Sequence, residues 1–198
     1  MIIHRCDQYS PEWWAIHEGK MGASHAQAIA ANGAGLKTYI RDDIMGPKYS
    51  KADKKSYSNK SMERGLELEP SAAMVYEFTT GILLKEVGFV EYNDFIGVSP
   101  DRLAGEDGLV EIKCPEDKAY FNLLLDEKID SKYYWQMQMQ MLVCEKVWCD
   151  YVCYNPNYDQ SLFIKRVLPD KEKFDKLLKG FKSGIEMIKE IKTKMEAK

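Results

Sequence analysis

Residues 96 to 115, IGVSPDRLAGEDGLVEIKCP, set Asp101, Glu111 and Lys113 into two apolar runs joined by a turn. An extended strand sends successive side chains to opposite faces. In LVEIK, therefore, Leu109, Glu111 and Lys113 share one face and Val110 and Ile112 the other. The turn AGEDG is expected to fold this strand back on FIGVS and bring Asp101 beside Glu111. Two carboxylates on paired strands make half a site for a hard divalent cation, whose other ligands are waters and phosphate oxygens. Lys113, one step further, is placed to orient an attacking water or help deprotonate it. The acidic-x-Lys tripeptide carries little weight alone, since it recurs at Glu18, Asp53, Glu116, Asp126, Asp130, Glu190 and Glu196. What singles out the copy at Glu111 is its β-rich run, the Pro-Asp before it and the turn between them. The plain alternative is a strand-face salt bridge between Glu111 and Lys113.

The elements that must position these residues follow from caps, breakers and periodicity. Ser10-Pro11 starts a helix over PEWWAIHE that should stop at Gly19, and a second short helix follows Ser24 and ends near Gly33. A helical pattern from Ser61 to Thr80 meets Pro70, which is expected to kink or restart it, with Glu69 at the interruption. Apolar runs near 85 to 91, 95 to 99, 109 to 113, 147 to 154 and 162 to 167 are expected to form one sheet. Residues 117 to 126 are expected to be helical, whereas YYWQMQMQMLV alternates with period two and by pattern is a strand. After Pro169, Phe174, Leu177, Leu178, Phe181, Ile185, Ile188 and Met195 recur at helical spacing with lysines opposite, a long amphipathic helix closing the fold. The expected class is α/β, a single domain over residues 1 to 198.

With 198 residues, 45% of them hydrophobic, the chain can bury a sizeable core, and its net charge of −3 excludes a globally basic nucleic-acid binder. Local charge must therefore carry any such role. Residues 47 to 64 are basic and contain Lys54 and Lys55 with Tyr49 and Tyr57. They are expected either to contact backbone phosphates and bases or to form a solvated loop. No segment resembles a signal peptide and no run approaches the ~18 apolar residues of a membrane span, so a soluble, cytoplasmic protein is expected. The five cysteines form no CxxC pair and are expected to be reduced and mostly buried. Cys144, Cys149 and Cys153 cluster late in the chain and leave open an iron–sulfur alternative, although their spacing fits no recognised cluster motif.

SPD followed by EIKCP resembles the PD-(D/E)xK nuclease signature, specifically that of the YqaJ-type viral recombinase, or lambda exonuclease, family. EWWAIHEGKMGASHA resembles that family's N-terminal W-x(n)-G-x-x-A-S element, RGLELEPSAAMVYEFTTG its acidic helix, and YYWQMQMQM its Tyr-x-x-Gln-x-Gln helix. The four motifs occur in the family's order over about residues 10 to 155. The resemblance implies a restriction-endonuclease-like core, a central mixed sheet flanked by helices. It also makes residues 131 to 143 a helix, with Gln136 and Gln140 on one face. It implies metal binding by Asp101, Glu111, Glu69 and the Ile112 carbonyl, catalysis by Lys113, and a place near the reacting water for Gln136. Ser24 would meet a 5′-phosphate, its hydroxyl also serving as a helix cap. His17 stands where the family usually carries a phosphate-gripping arginine, and His25 where an acidic residue is common.

The implied function is a Mg²⁺-dependent exodeoxyribonuclease, with Mn²⁺ as a substitute. It would degrade one strand of linear duplex DNA 5′ to 3′ and expose a single strand for recombination in a bacterial or phage-infected cell. The implied partners are double-stranded DNA ends and a single-strand annealing recombinase, and the implied assembly is a ring-shaped homotrimer. Two alternatives stand beside it: a restriction-type endonuclease, which should cut closed circles, and a non-catalytic DNA-end binder whose hairpin charges form a structural salt bridge.

Overall fold

A computed structural model describes residues 1–50 and 60–197, leaving Lys54, Lys55 and Tyr57 outside the described residues. In chain order the elements begin with β1 (Ile2–His4), α1 (Pro11–His17), a 3-10 turn (Ala23–His25), α2 (Ala26–Ala31), α3 (Ala34–Thr38), a π-helical turn (Tyr39–Met45) and α4 (Gly46–Tyr49). Then come α5 (Lys60–Thr80), β2 (Leu84–Lys85), β3 (Phe89–Asn93), β4 (Ile96–Val98), β5 (Arg102–Ala104) and β6 (Gly108–Lys113). The chain finishes with α6 (Asp117–Asp126), α7 (Ser131–Cys144), β7 (Trp148–Tyr154), β8 (Leu162–Val167) and α8 (Lys171–Glu196).

The strands form two sheets rather than the single one expected, a three-stranded β1-β3-β4 and a five-stranded β2-β5-β6-β7-β8. The expected pairing of LVEIK with FIGVS is also corrected. β4 pairs antiparallel with β3, while β6 folds back on the short β5, with Arg102 opposite Val110. Gly97 explains the diversion of β4, because a Cβ there would lie 2.2 Å from the Phe89 ring, so only glycine lets β4 lie against β3. Asp101 thus stands at the crossing between the sheets, one residue before β5. β6 and β7 run parallel in register, joined through α6 and α7, and β8 closes the far edge antiparallel to β7.

α5 runs unbroken through Pro70 and covers one face of the large sheet, packing Ala72, Ala73 and Tyr76 against Val110, Ile112 and Val152. Both the expected kink and the restart give way to a continuous helix. α7 covers the other face. Its Asp130 cap accepts from the Lys132 N–H, and Met137, Gln138, Met139, Gln140 and Met141 are all buried. A helix enclosed on most sides shows no amphipathic period, so the alternation of Met and Gln mimics a strand. α8 reaches close to α2 through Gly180, where a Cβ would meet the Ile29 carbonyl at 2.0 Å. Among the described residues, no helix is long and apolar enough to cross a membrane. All five cysteines are free thiols, four of them buried.

Candidate active site

Alternation along β6 turns Glu111 toward α7 and away from α5, and the carboxylate is 0% exposed. Burying it is tolerable only because donors meet both oxygens. Oε1 accepts from Lys113 Nζ at 2.5 Å and from Gln136 Nε2 at 2.6 Å, and Oε2 accepts from Gln140 Nε2 at 2.7 Å. Gln136 and Gln140 lie one helical turn apart, so two amides of α7 grip opposite sides of one carboxylate. The salt bridge that sequence offered as the plain alternative exists, but in a buried setting where an ion pair adds little to stability.

Asp101 Oδ2 accepts the Ile112 N–H at 2.6 Å and lies 3.9 Å from Lys113 Nζ. The lysine also donates to the Ile112 carbonyl at 3.0 Å. Burial, then the charge of Glu111, pushes the Asp101 carboxyl up to about 8. Burial alone would lower Lys113, but Glu111 and Asp101 outweigh it and hold the ammonium above its ordinary value. Glu69 joins through Arg102, whose Nη1 donates to Glu69 Oε1 at 2.6 Å and to the Asp101 carbonyl at 2.5 Å. Lys113 therefore bridges Asp101 and Glu111, Gln136 binds Glu111, and Glu69 is linked to Asp101 by one guanidinium.

Glu69, Asp101, Ile112 and Lys113 line one cleft of about 1900 Å³, which also takes in Tyr9, Trp14, His25 and Tyr133. That volume exceeds the few hundred to about a thousand Å³ of a small-molecule pocket and suits a polymer. Among the described residues, no three His, Cys, Asp or Glu side chains converge closely enough to cage a metal by themselves.

The N-terminal residues differ from expectation. Ser24 lies inside the 3-10 turn and is not the cap of α2, a position held by His25 with no side-chain hydrogen bond. The Ser24 hydroxyl is exposed and stands 3.2 Å from His25 Nδ1. His17 stacks on Trp13 with ring centroids 4.4 Å apart, and burial, then Lys20, lowers its pKa. It is therefore predominantly neutral at pH 7.

Sequence reasoning missed Arg102, Tyr9 and Trp14, and it placed Gln140 on the right face without its partner. Arg102 follows the Pro-Asp directly, and adjacency to a candidate carboxylate was the only signal available. Cys144, Cys149 and Cys153 are all buried, and burial is the first cause raising each thiol.

Residues 12–147 match the YqaJ-like viral recombinase domain. Among solved structures, an alkaline exonuclease (LHK-Exo) from Laribacter hongkongensis is 29% identical and superposes with a TM-score of 0.77, over 95% of this chain and 99% of that one. LHK-Exo in complex with dAMP, also 29% identical, gives a TM-score of 0.85 over 95% and 97% of the two chains. A phage-related exonuclease from Haemophilus somnus 129PT shares the fold at 18% identity, with a TM-score of 0.64 over 89% and 96%. No curated protein gives a significant match.

Proposed function

This chain belongs to the YqaJ-like viral recombinase domain family, and we propose that it is a metal-dependent exodeoxyribonuclease that degrades one strand of linear duplex DNA, 5′ to 3′. The observation that carries this reading is the fully buried Glu111, held by Lys113, Gln136 and Gln140 directly behind Asp101 and Lys113, which line the open cleft. A carboxyl raised by burial and a neighbouring charge at the edge of a cleft, as Asp101 is, is a frequent mark of a working site. The similarity to LHK-Exo, an alkaline exonuclease with a structure holding the nucleoside monophosphate dAMP, agrees with phosphodiester hydrolysis.

The donor set fits a hard divalent cation. Every ligand available is oxygen, and two carboxyls, Asp101 and Glu111, share the single ammonium of Lys113, with Glu69 one guanidinium away. Asp101, Glu111, Glu69 and the Ile112 carbonyl would hold Mg²⁺, or Mn²⁺, which when bound supplies a water of lowered pKa and charge neutralisation at the phosphate. Lys113, kept protonated by Glu111 and Asp101 and already donating to Glu111 and the Ile112 carbonyl, would turn its remaining N–H donor to the attacking water. Gln136 keeps Glu111 in one rotamer and stands beside that water. Attack of the water oxygen would form one P–O bond as the P–O bond to the leaving strand breaks, with the water's proton passing to bulk water and the released oxygen taking one proton from bulk water. Ser24 is proposed to meet the terminal phosphate through its hydroxyl, with His17 supporting it as a neutral donor.

The same reading includes a homotrimeric ring around the duplex, contacts from Lys54 and Lys55 to backbone phosphates, and a single-strand annealing protein as partner. The particle mass in solution, with and without DNA, tests the ring. Charge reversal at Lys54 and Lys55 should flatten the salt dependence of binding. The activity itself is tested by incubating Mg²⁺-loaded protein with linear duplex, 5′-phosphorylated at one end, and with covalently closed circles. Loss of the linear form alone is expected, whereas cutting of circles would favour a restriction-type endonuclease.

A further inference from the structure

Tyr9 and Trp14 are large aromatic residues that fold with half their surface open, 51% and 54% exposed, on the wall of the cleft that holds Asp101 and Lys113. Neither is needed to close the core at that point. Trp13 does that work, buried with its indole N–H donating to the Gly88 carbonyl at 3.0 Å and to Ser99 Oγ at 2.8 Å. Tyr9 occupies the third position of a turn closed by the Ser10 N–H on the Asp7 carbonyl, at φ +66°. This left-handed conformation favours glycine or asparagine, and an aromatic residue there is unfavourable. The strain is retained at the edge of the candidate site.

The turn and the helix are fastened to the strand end that delivers the carboxylate. Gln8 Nε2 donates to the Pro100 carbonyl at 3.0 Å, Trp13 binds Ser99, and the next residue is Asp101. Three consecutive residues, Ser99, Pro100 and Asp101, thereby fix the distance between two exposed rings and the acid. The rings lie close together, with centroids 6.5 Å apart and 57° between planes, and Tyr9 is 5.3 Å from Trp13. An exposed aromatic surface held rigidly beside a phosphodiester-handling site is suited to the flat face of a base, which any sequence presents.

We infer that Tyr9 and Trp14 form a stacking step for an unpaired nucleobase of the strand end in the cleft, holding that strand apart from its complement while it is cut. The inference deepens the exonuclease reading and rests on it. The step binds a base face and reads no sequence.

The test uses linear duplexes whose terminal nucleotides carry either normal bases or abasic tetrahydrofuran residues, cut under single-turnover conditions by wild type, Trp14→Ala, Tyr9→Ala and Trp14→Phe. A single lost base stack corresponds to about a tenfold rate effect. Wild type should cut the abasic end about tenfold more slowly than the normal one. Trp14→Ala and Tyr9→Ala should slow the normal end by a similar factor and leave the abasic end unchanged, and Trp14→Phe should keep the preference. Equal slowing of both ends, or no slowing of either, would overturn the stack. A second arm without metal places 2-aminopurine at the terminal position and follows its fluorescence. Quenching by wild type that is lost in Trp14→Ala supports the stack, and unchanged quenching counts against it. Wild type that cuts no DNA would defeat the exonuclease reading alone, because the metal-free arm still decides whether a base is stacked.

Discussion

Two buried acids lie on neighbouring strands of the same sheet and have opposite surroundings. Asp150 on β7 faces α5, where Arg166 Nε and Nη2 bind its two oxygens at 2.8 Å each and Tyr76 donates at 2.7 Å. Arg166 in turn covers the Trp148 ring at 3.8 Å. One carboxylate meets one guanidinium and one phenol, and the cluster is complete. Glu111 on β6 faces α7 and the cleft, and it shares Lys113 with a second carboxylate, Asp101. The first arrangement ties strands and helix together. The second crowds two carboxyls around one ammonium, with Glu111 buried and Asp101 and Lys113 reaching the cleft, an arrangement tolerated where a ligand relieves it.

Removing the shared cation should have the largest effect and separate the two clusters most clearly. Lys113→Ala should lower cleavage by about 10³-fold or more with duplex binding retained, and should also lower the unfolding midpoint, because the buried Glu111 loses its only cationic donor. Near-normal turnover would return Lys113 to a structural salt bridge. On the other face, Asp150→Asn removes the charge from a bidentate pair. It should cost about 2 kcal/mol of stability, a discounted value because Arg166 is half exposed, as read by urea unfolding, with the cutting rate nearly unchanged.

The corresponding change in the cleft should have the opposite sign. Asp101 has a folded-state value of about 8 against an ordinary 3.8. The folded metal-free protein therefore binds a proton that the unfolded chain has lost between these values. The associated stability is complete below about pH 4 and is lost as pH rises through about 8. Asp101→Asn, which cannot ionise, should stabilise the metal-free protein at pH 8 to 9 by about 1 kcal/mol while abolishing cleavage. A destabilised Asp101→Asn would make the two acids alike and break the comparison. The smallest effect is expected at the N-terminal turn, where Ser24→Ala should narrow the preference for 5′-phosphorylated over 5′-hydroxyl ends a few-fold. His17→Arg, bringing a permanent charge to a site where burial keeps histidine neutral, should widen it most at alkaline pH. An unchanged end preference in both variants would withdraw Ser24 and His17 from phosphate binding.

The hairpin at Asp101, Glu111 and Lys113 was legible because strand alternation and a Gly-rich turn are local properties. Its partner strand was not, since β5 is three residues long and begins with Arg102, while the diversion of β4 depends on a Phe89 ring pressed against Gly97. α7 was legible only through family resemblance, because burial on most sides removes the helical period. The left-handed backbone of Tyr9 has no trace in QYSP, as it is imposed by the Gln8 and Trp13 contacts with residues about ninety positions away. The Asp150 cluster escaped notice for a similar reason, since its three members come from α5, β7 and β8.

The proposed hydrolysis with a divalent metal is assigned to the Glu111 cluster and not to the Asp150 cluster. The most direct measurement compares wild type, Glu111→Gln and Asp150→Asn on 5′-phosphorylated linear duplex, with Mg²⁺ and with chelator. Wild type and Asp150→Asn should degrade the duplex only when Mg²⁺ is present, and Glu111→Gln should leave it intact in both conditions. Degradation by Glu111→Gln at the wild-type rate, or degradation by wild type in chelator, would contradict that assignment.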